Sequence, residues 1–167
     1  MAPDKSGLAL PIVIVGTVDL NRLLREIKKL QATLQAQLLR SGGHVAQALP
    51  KLSQLLDEFV QLNKLDLLQA ADQKRAIQFL EDVREHAPKI HVSFSADPSP
   101  QFMSKLTFWF RNNIHQTILI TVGLQPSIGA GCVIRTANKY FDFSLSKSFE
   151  NNRKLLIQQL QVSEAVA

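Results

Sequence analysis

Lys89-Ile-His-Val-Ser-Phe-Ser-Ala96 is where the chain changes character. Ile90, Val92, Phe94 and Ala96 alternate with His91, Ser93 and Ser95. A period of two sends successive side chains to opposite faces of a strand, so this stretch predicts a half-buried strand. Everything between Asp19 and this point follows the helical period instead, and the switch therefore separates a helical region from a sheet.

Upstream, Leu20, Leu23, Leu24, Ile27, Leu30, Leu34 and Leu38 recur at three- and four-residue spacing behind an N-capping Asp19, and Ser41-Gly42-Gly43 ends the pattern. A second helical pattern runs from about His44 to Leu62 through Leu52, Leu55, Leu56 and Phe59, with Pro50 interrupting or starting it. Asn63-Lys-Leu-Asp66 reads as a turn, and Ala71 to His86, with Ile77, Leu80 and Val83 on one face, as a third helix that stops before Pro88. Ahead of all three, Leu10-Pro-Ile-Val-Ile-Val15 is β-branched and closed by Gly16, which predicts a buried strand.

Downstream, Ser99-Pro100 opens a helix whose buried face is expected to carry Phe102, Met103, Leu106, Trp109, Phe110 and Ile114. Thr117 to Val122 is a further β-branched run, and Gly131–Thr136 with Lys139–Ser144 flank an Ala137-Asn138 turn as a hairpin. Phe149, Leu155, Leu156, Ile157 and Leu160 mark an amphipathic last helix, with a polar tail from Ser163. The predicted fold class is α+β: an N-terminal strand and helical region over residues 1–87, then a small mixed sheet flanked by helices over residues 88–167.

Composition narrows what such a fold can do. Hydrophobic residues are 46% and charged residues 20% of 167, the usage of a folded globule. The longest apolar stretch, Leu8 to Val15, contains Pro11 and is too short to span a bilayer, and the first residues lack the pattern of a secretory signal, so a cytoplasmic protein is expected. Cys132 is the single cysteine, which excludes an internal disulfide and a multi-cysteine metal knuckle. The net charge of +5 gathers at both ends: residues 1–40 hold six basic and three acidic groups, and residues 101–167 hold seven and three. That balance admits nucleic acid or an acidic protein surface as partner.

A search for chemistry returns nothing assembled. Ile128-Gly-Ala-Gly-Cys132 has closely spaced glycines but lacks a Gly-Lys-Ser/Thr ending, and a strand is expected after it where a phosphate loop needs a helix. His44, His86, His91 and His115 are scattered without metal-ligand spacing, and Cys132 lies in an apolar run that suits an inert thiol. Asp57-Glu58 and Glu81-Asp82 are adjacent pairs, which diverge on a helix and cannot flank one bond. Arg22, Arg25, Lys28 and Lys29 form a basic face on the first helix, suited to phosphates, anionic lipid or an acidic helix, and equally to plain solvation. No catalytic group, metal, cofactor or small-molecule substrate is expected.

Ser127-Ile-Gly-Ala-Gly-Cys-Val-Ile-Arg-Thr-Ala-Asn-Lys-Tyr-Phe-Asp-Phe-Ser-Leu145 resembles the C-terminal signature of the delta subunit of F-type ATP synthases, the family that includes the mitochondrial oligomycin-sensitivity-conferring protein. Ala130, Gly131, Arg135, Asp142 and Ser144 fall in register with its glycine turn, its arginine strand and its Asp-Gly-Ser, in which Phe143 here replaces the glycine. Asn63-Lys-Leu65, Ile90–Ala96 and Ser99–His115 continue the likeness upstream, while the family's six-helix N-terminal bundle is shortened or remodelled.

The resemblance implies a non-catalytic stator subunit that joins the C-terminal helices of the peripheral-stalk b subunits to the catalytic head, supporting proton-driven ATP synthesis. It implies a location peripheral to the inner face of the cell membrane, reached only through the complex. The shortened N-terminal region leaves open whether the contact with the N-terminal helix of an alpha subunit is kept. Phe141, Phe143, Phe149, Leu156 and Leu160 are the candidate partner-binding residues, with the interior as their alternative place. The competing class is a basic α+β nucleic-acid-binding module that uses the first helix and the basic C-terminal segment.

Overall fold

A computed structural model describes residues 7–40 and 51–164, apart from the side chains of 154–156 and 158–164. The end of the first helical pattern at Ser41-Gly42-Gly43 and the His44–Pro50 start of the second lie outside the described residues. The elements are α1 (Thr17–Arg40), α2 (Gln54–Asn63), α3 (Ala70–His86), β1 (Lys89–Phe94), α4 (Pro100–Asn113), β2 (Leu119–Leu124), β3 (Gly131–Arg135), β4 (Tyr140–Ser144) and α5 (Leu145–Glu164), with a 3-10 turn at Pro126–Ile128. The fold class is α+β. The chain forms two compact units, one of residues up to Pro88 with Gln101–Leu119, the other of Lys89–Pro100 with the residues from Ile120 onward.

The first unit is helical. Leu20, Leu23, Leu24, Ile27 and Leu30 are the buried stripe of α1. Asp19 lies inside the helix, in its first turn, and its carboxylate reaches back to accept the Val15 and Gly16 N–H groups at 3.2 Å each. Ser53 caps α2: its Oγ accepts the Leu56 N–H at 3.3 Å and its hydroxyl donates to Glu26 on α1. Lys64, at φ 51°, ends α2 in the left-handed region, so Asn63-Lys-Leu is the turn that the sequence predicts. Phe59 of α2 stacks on Phe79 of α3 with ring centroids 6.3 Å apart. These rings join Leu20, Leu23, Ile27 and Leu80 in one buried cluster.

The strand predicted at Leu10–Val15 does not form. Leu8, Leu10, Pro11 and Ile14 are buried, but Pro11–Ile14 is a turn, closed by the Ile14 N–H donating to the Pro11 carbonyl at 3.1 Å. Its carbonyls are used by a side chain in place of a strand ladder. Arg111 on α4 donates to Leu10 O at 3.1 Å, to Pro11 O at 2.7 Å and to Ile14 O. Asn63 holds the same segment from another side, accepting the Ala9 N–H at 2.7 Å and donating to the Ala9 carbonyl at 3.0 Å.

The second unit is built on a four-stranded sheet of order β2-β1-β3-β4. β1 pairs with β3 and β3 with β4, both antiparallel. The Leu119 N–H donates to Pro88 O at 2.9 Å and the Gln125 N–H to Phe94 O at 2.7 Å. Both pairs are offset by the same number of residues, so β1 and β2 run parallel, as strands joined through a helix do. The sheet is therefore mixed. The hairpin, the strand at Ile90 and the last helix fall where the sequence puts them, although α5 begins at Leu145, earlier than expected.

Candidate functional site

The glycines of Ile128-Gly-Ala-Gly-Cys132 serve the backbone. Gly129 and Gly131 have φ of 73° and 92°, a region from which side chains are largely excluded. A Cβ on Gly131 would lie 2.2 Å from the carbonyl oxygen of Phe143 across the hairpin. The strand β3 follows directly. Cys132 is half-buried, and burial raises its thiol pKa. Among the described residues no three or more His, Cys, Asp or Glu side chains gather as a metal site.

The motif residues build the hairpin and its junction with α5. Gly131 is opposite Ser144 and Arg135 opposite Tyr140, whose ring the guanidinium covers at 5.3 Å from the centroid. Asp142 accepts the Ser144 N–H at 2.9 Å, and Ser144 Oγ accepts the Lys147 N–H at 3.1 Å. Ser144 is thus the N-cap of α5. The hydrogen bonds from the Ser144 side chain and backbone, with the Lys147 charge, hold the Asp142 carboxyl below its ordinary value. Ala130 contributes its carbonyl to the Leu145 N–H at 2.9 Å.

The aromatic candidates are exposed. Phe141 and Phe143 are 42% and 60% exposed and stack on each other, centroids 6.3 Å apart. Strand alternation puts them on one face of β4, opposite Ile134 and Cys132 of β3. Phe149 on α5 is also exposed, as are Tyr140 and Leu145. The side chains of Leu156 and Leu160 lie outside the described residues. β4 ends the sheet order, so among the described residues its outer edge carries no further strand.

The orientation of α4 departs from the sequence expectation. Its buried residues are Met103, Thr107, Phe110 and Arg111, whereas Phe102, Phe108, Trp109 and Ile114 are exposed and Leu106 is half-buried. The buried face keeps Met103 and Phe110 of the predicted one and takes in Thr107 and Arg111 in place of Phe102 and Trp109. Arg111 fixes the orientation, because its guanidinium must point inward to meet the carbonyls of Leu10, Pro11 and Ile14. Burial lowers the Arg111 pKa to about 10, so it is cationic at neutral pH.

The basic face of α1 is partly neutralised. Lys28 Nζ donates to Glu81 of α3 at 2.6 Å, and Arg22 pairs with Glu26 at 3.3 Å. The Lys28 hydrogen bond also lowers the Glu81 pKa. No helix among the described residues is long and apolar enough to cross a membrane. Compared with protein-family models and with curated proteins, the chain matches none.

Proposed function

We propose that this chain is a non-catalytic joint: a stator subunit of an F-type ATP synthase that links the helices of the peripheral-stalk b subunits to the alpha subunits of the catalytic head. The observation that carries the reading is the stacked, exposed pair Phe141 and Phe143 on an edge strand, followed in sequence by the exposed Phe149 of α5. Exposed aromatics that neighbour one another are the usual anchors of a protein interface. Arg135, Lys139, Lys147 and Arg153 occur in the same segment against Asp142 and Glu150, so the rim is basic and suits an acidic helix.

The order of strand, helix, strand, hairpin and helix from Lys89 to Glu164 supports the same reading, since the resemblance implies that order. A joint resists torque by fit and stiffness. The Gly131–Phe143 close approach and the Asp142–Ser144–Lys147 cap hold β4 and α5 in one arrangement.

Two measurements test the proposal. Affinity purification of the native complex is expected to bring down ATP synthase alpha and b subunits with this chain. A peptide spanning the last helix of the stalk b protein is expected to bind the purified chain and to lose at least about tenfold in affinity on Phe143→Asp. Unchanged binding by that variant overturns the docking surface, and a native synthase with a different polypeptide at the joint overturns the function.

A further inference from the structure

We infer that the outer face of α4, together with the Pro11–Ile14 turn, is a second docking surface, for an amphipathic helix whose apolar stripe is bordered by acidic side chains. Phe108 and Trp109 are 53% and 54% exposed, and Ile114 at the end of the helix is exposed as well. Arg111 carries the turn on its guanidinium, and Phe108 and Ile114 each stand three residues from Arg111, within one helical turn. The turn presents Ile12 and Val13, both exposed.

The inward side of this part of α4 is partly polar, and its outward side is apolar. Thr107 is fully buried, and its Oγ1 and the Arg111 Nε meet no hydrogen-bonding partner among the described residues. With Thr107 and Arg111 turned inward beside Met103 and Phe110, the rings of Phe108 and Trp109 are left on the outward side of α4. Large apolar side chains gathered outward on one helix are found where a surface has work to do.

Charge selects the occupant. From Pro98 to Ile118 the sequence has no acidic residue, and Lys105 lies on the exposed side of α4, one turn before Phe108 and Trp109. A second copy of this chain would bring like charge to like charge, and a basic helix would be repelled. An apolar stripe with glutamates or aspartates beside it satisfies both the rings and the lysine. This surface shares no residue with the β4–α5 aromatics and does not depend on the stator reading.

Trp109 is the only tryptophan of the chain and reports on the surface directly. The full-length protein is titrated with a synthetic helix bearing leucines at i, i+3, i+4 and i+7 flanked by glutamates, and separately with the same helix flanked by lysines. A single-stranded oligonucleotide and phosphatidylglycerol vesicles are the further arms. The glutamate helix is expected to shift the emission to the blue and to protect Trp109 from acrylamide. Its affinity should fall at least about tenfold in Phe108→Ala, and its preference over the lysine helix should vanish in Lys105→Glu.

Circular dichroism confirms that both variants fold, which their exposed positions favour. Absence of a shift with the glutamate helix overturns the inference. So does an equal response to both helices, a response to the oligonucleotide or vesicles alone, or a blue shift produced by raising the protein concentration by itself. Because the signal arises on α4, failure of the stalk peptide to bind leaves this readout standing.

Discussion

Arg111 donates to the main-chain carbonyl of Pro11 at 2.7 Å across 100 residues of sequence, and the same guanidinium reaches Leu10 and Ile14. One side chain thus donates to three carbonyls of the N-terminal turn, of which that of Pro11 also accepts the Ile14 N–H. Arg111→Met removes the donors, and an unsatisfied buried carbonyl costs about 1–3 kcal/mol, partly offset because no charge is then desolvated. We predict a net loss of about 2–4 kcal/mol in urea denaturation followed by circular dichroism. Arg111→Lys keeps the charge without the fork and should recover only part. The folded pKa of about 10 lies well above neutrality, so both folded and unfolded states hold the proton there and the effect should not vary with pH near 7. A fully stable Arg111→Met variant would sink this account of the N-terminal turn.

Gly131 and Gly123 are tight for different reasons, and their alanine variants should behave differently. At Gly131 the obstacle is the Phe143 carbonyl, 2.2 Å from a built Cβ, with φ at 92° as well. Backbone cannot move aside cheaply, so Gly131→Ala should cost about 2 kcal/mol or more, and truncating Phe143 to Ala should not relieve it. At Gly123 the obstacle is the His91 ring, whose Nε2 would be 2.6 Å away. A side chain can turn, and His91→Ala should cancel most of the cost of Gly123→Ala. Double-mutant cycles from thermal melts check both, and coupling at Gly131–Phe143 comparable to that at Gly123–His91 would contradict the distinction.

These contacts also mark how far the sequence could be read. The change of period at Lys89 and the hairpin around Ala137-Asn138 are local signals, and local hydrogen bonding realises them. Leu10–Val15 carries an equally local β signal that fails, because its carbonyls are claimed by Arg111, a partner no nearby residue announces. On α4 the predicted face holds at Met103 and Phe110 but not at Phe102 and Trp109, because the helix is turned so as to bring Arg111 inside. In the candidate site, Gly131, Asp142 and Ser144 are visible as a motif. Their roles as close approach, turn acceptor and helix cap require the register of β3 against β4. Whether Phe141 and Phe143 face solvent is not legible in the sequence, since alternation gives a shared face and not its environment.

Asp142 and Ser144 should titrate as a unit. The Ser144 hydroxyl and N–H both stabilise the Asp142 carboxylate, which lowers its folded pKa below the ordinary 3.8. A lowered carboxylate pKa adds stability that is complete above the unfolded value and is lost as pH falls through the folded one. The contribution should therefore be intact at neutral pH and disappear only in the acid limb, below about pH 3.8. Ser144→Ala is expected to return the Asp142 resonance toward 3.8 in an NMR titration. The same variant uncaps α5 at a cost of about 0.5–2 kcal/mol. An Asp142 midpoint unmoved by Ser144→Ala would show that the hydrogen bonds do not set it.

The basic face of α1 provides the sharpest test against the nucleic-acid class. Phosphate binding releases counterions, and the logarithm of affinity falls with that of salt in proportion to the number of cations engaged, by about 0.9 per phosphate on duplex DNA. Of the four cations on this face, Lys28 is already held by Glu81 at 2.6 Å and Arg22 by Glu26 at 3.3 Å. Arg25 Nε donates to the Asn21 carbonyl at 3.2 Å. A phosphate would have to displace these partners, and the carboxylates of Glu26 and Glu81 would then repel it. We predict that filters retain neither duplex DNA nor single-stranded RNA with this protein, at low or at physiological ionic strength. Breaking the α1–α3 pair with Glu81→Gln frees Lys28 and removes one opposing charge, so any weak retention should first emerge in that variant. Strong retention by the parent protein at low salt, falling steeply as salt is added, would instead install a nucleic-acid partner and displace the stator reading.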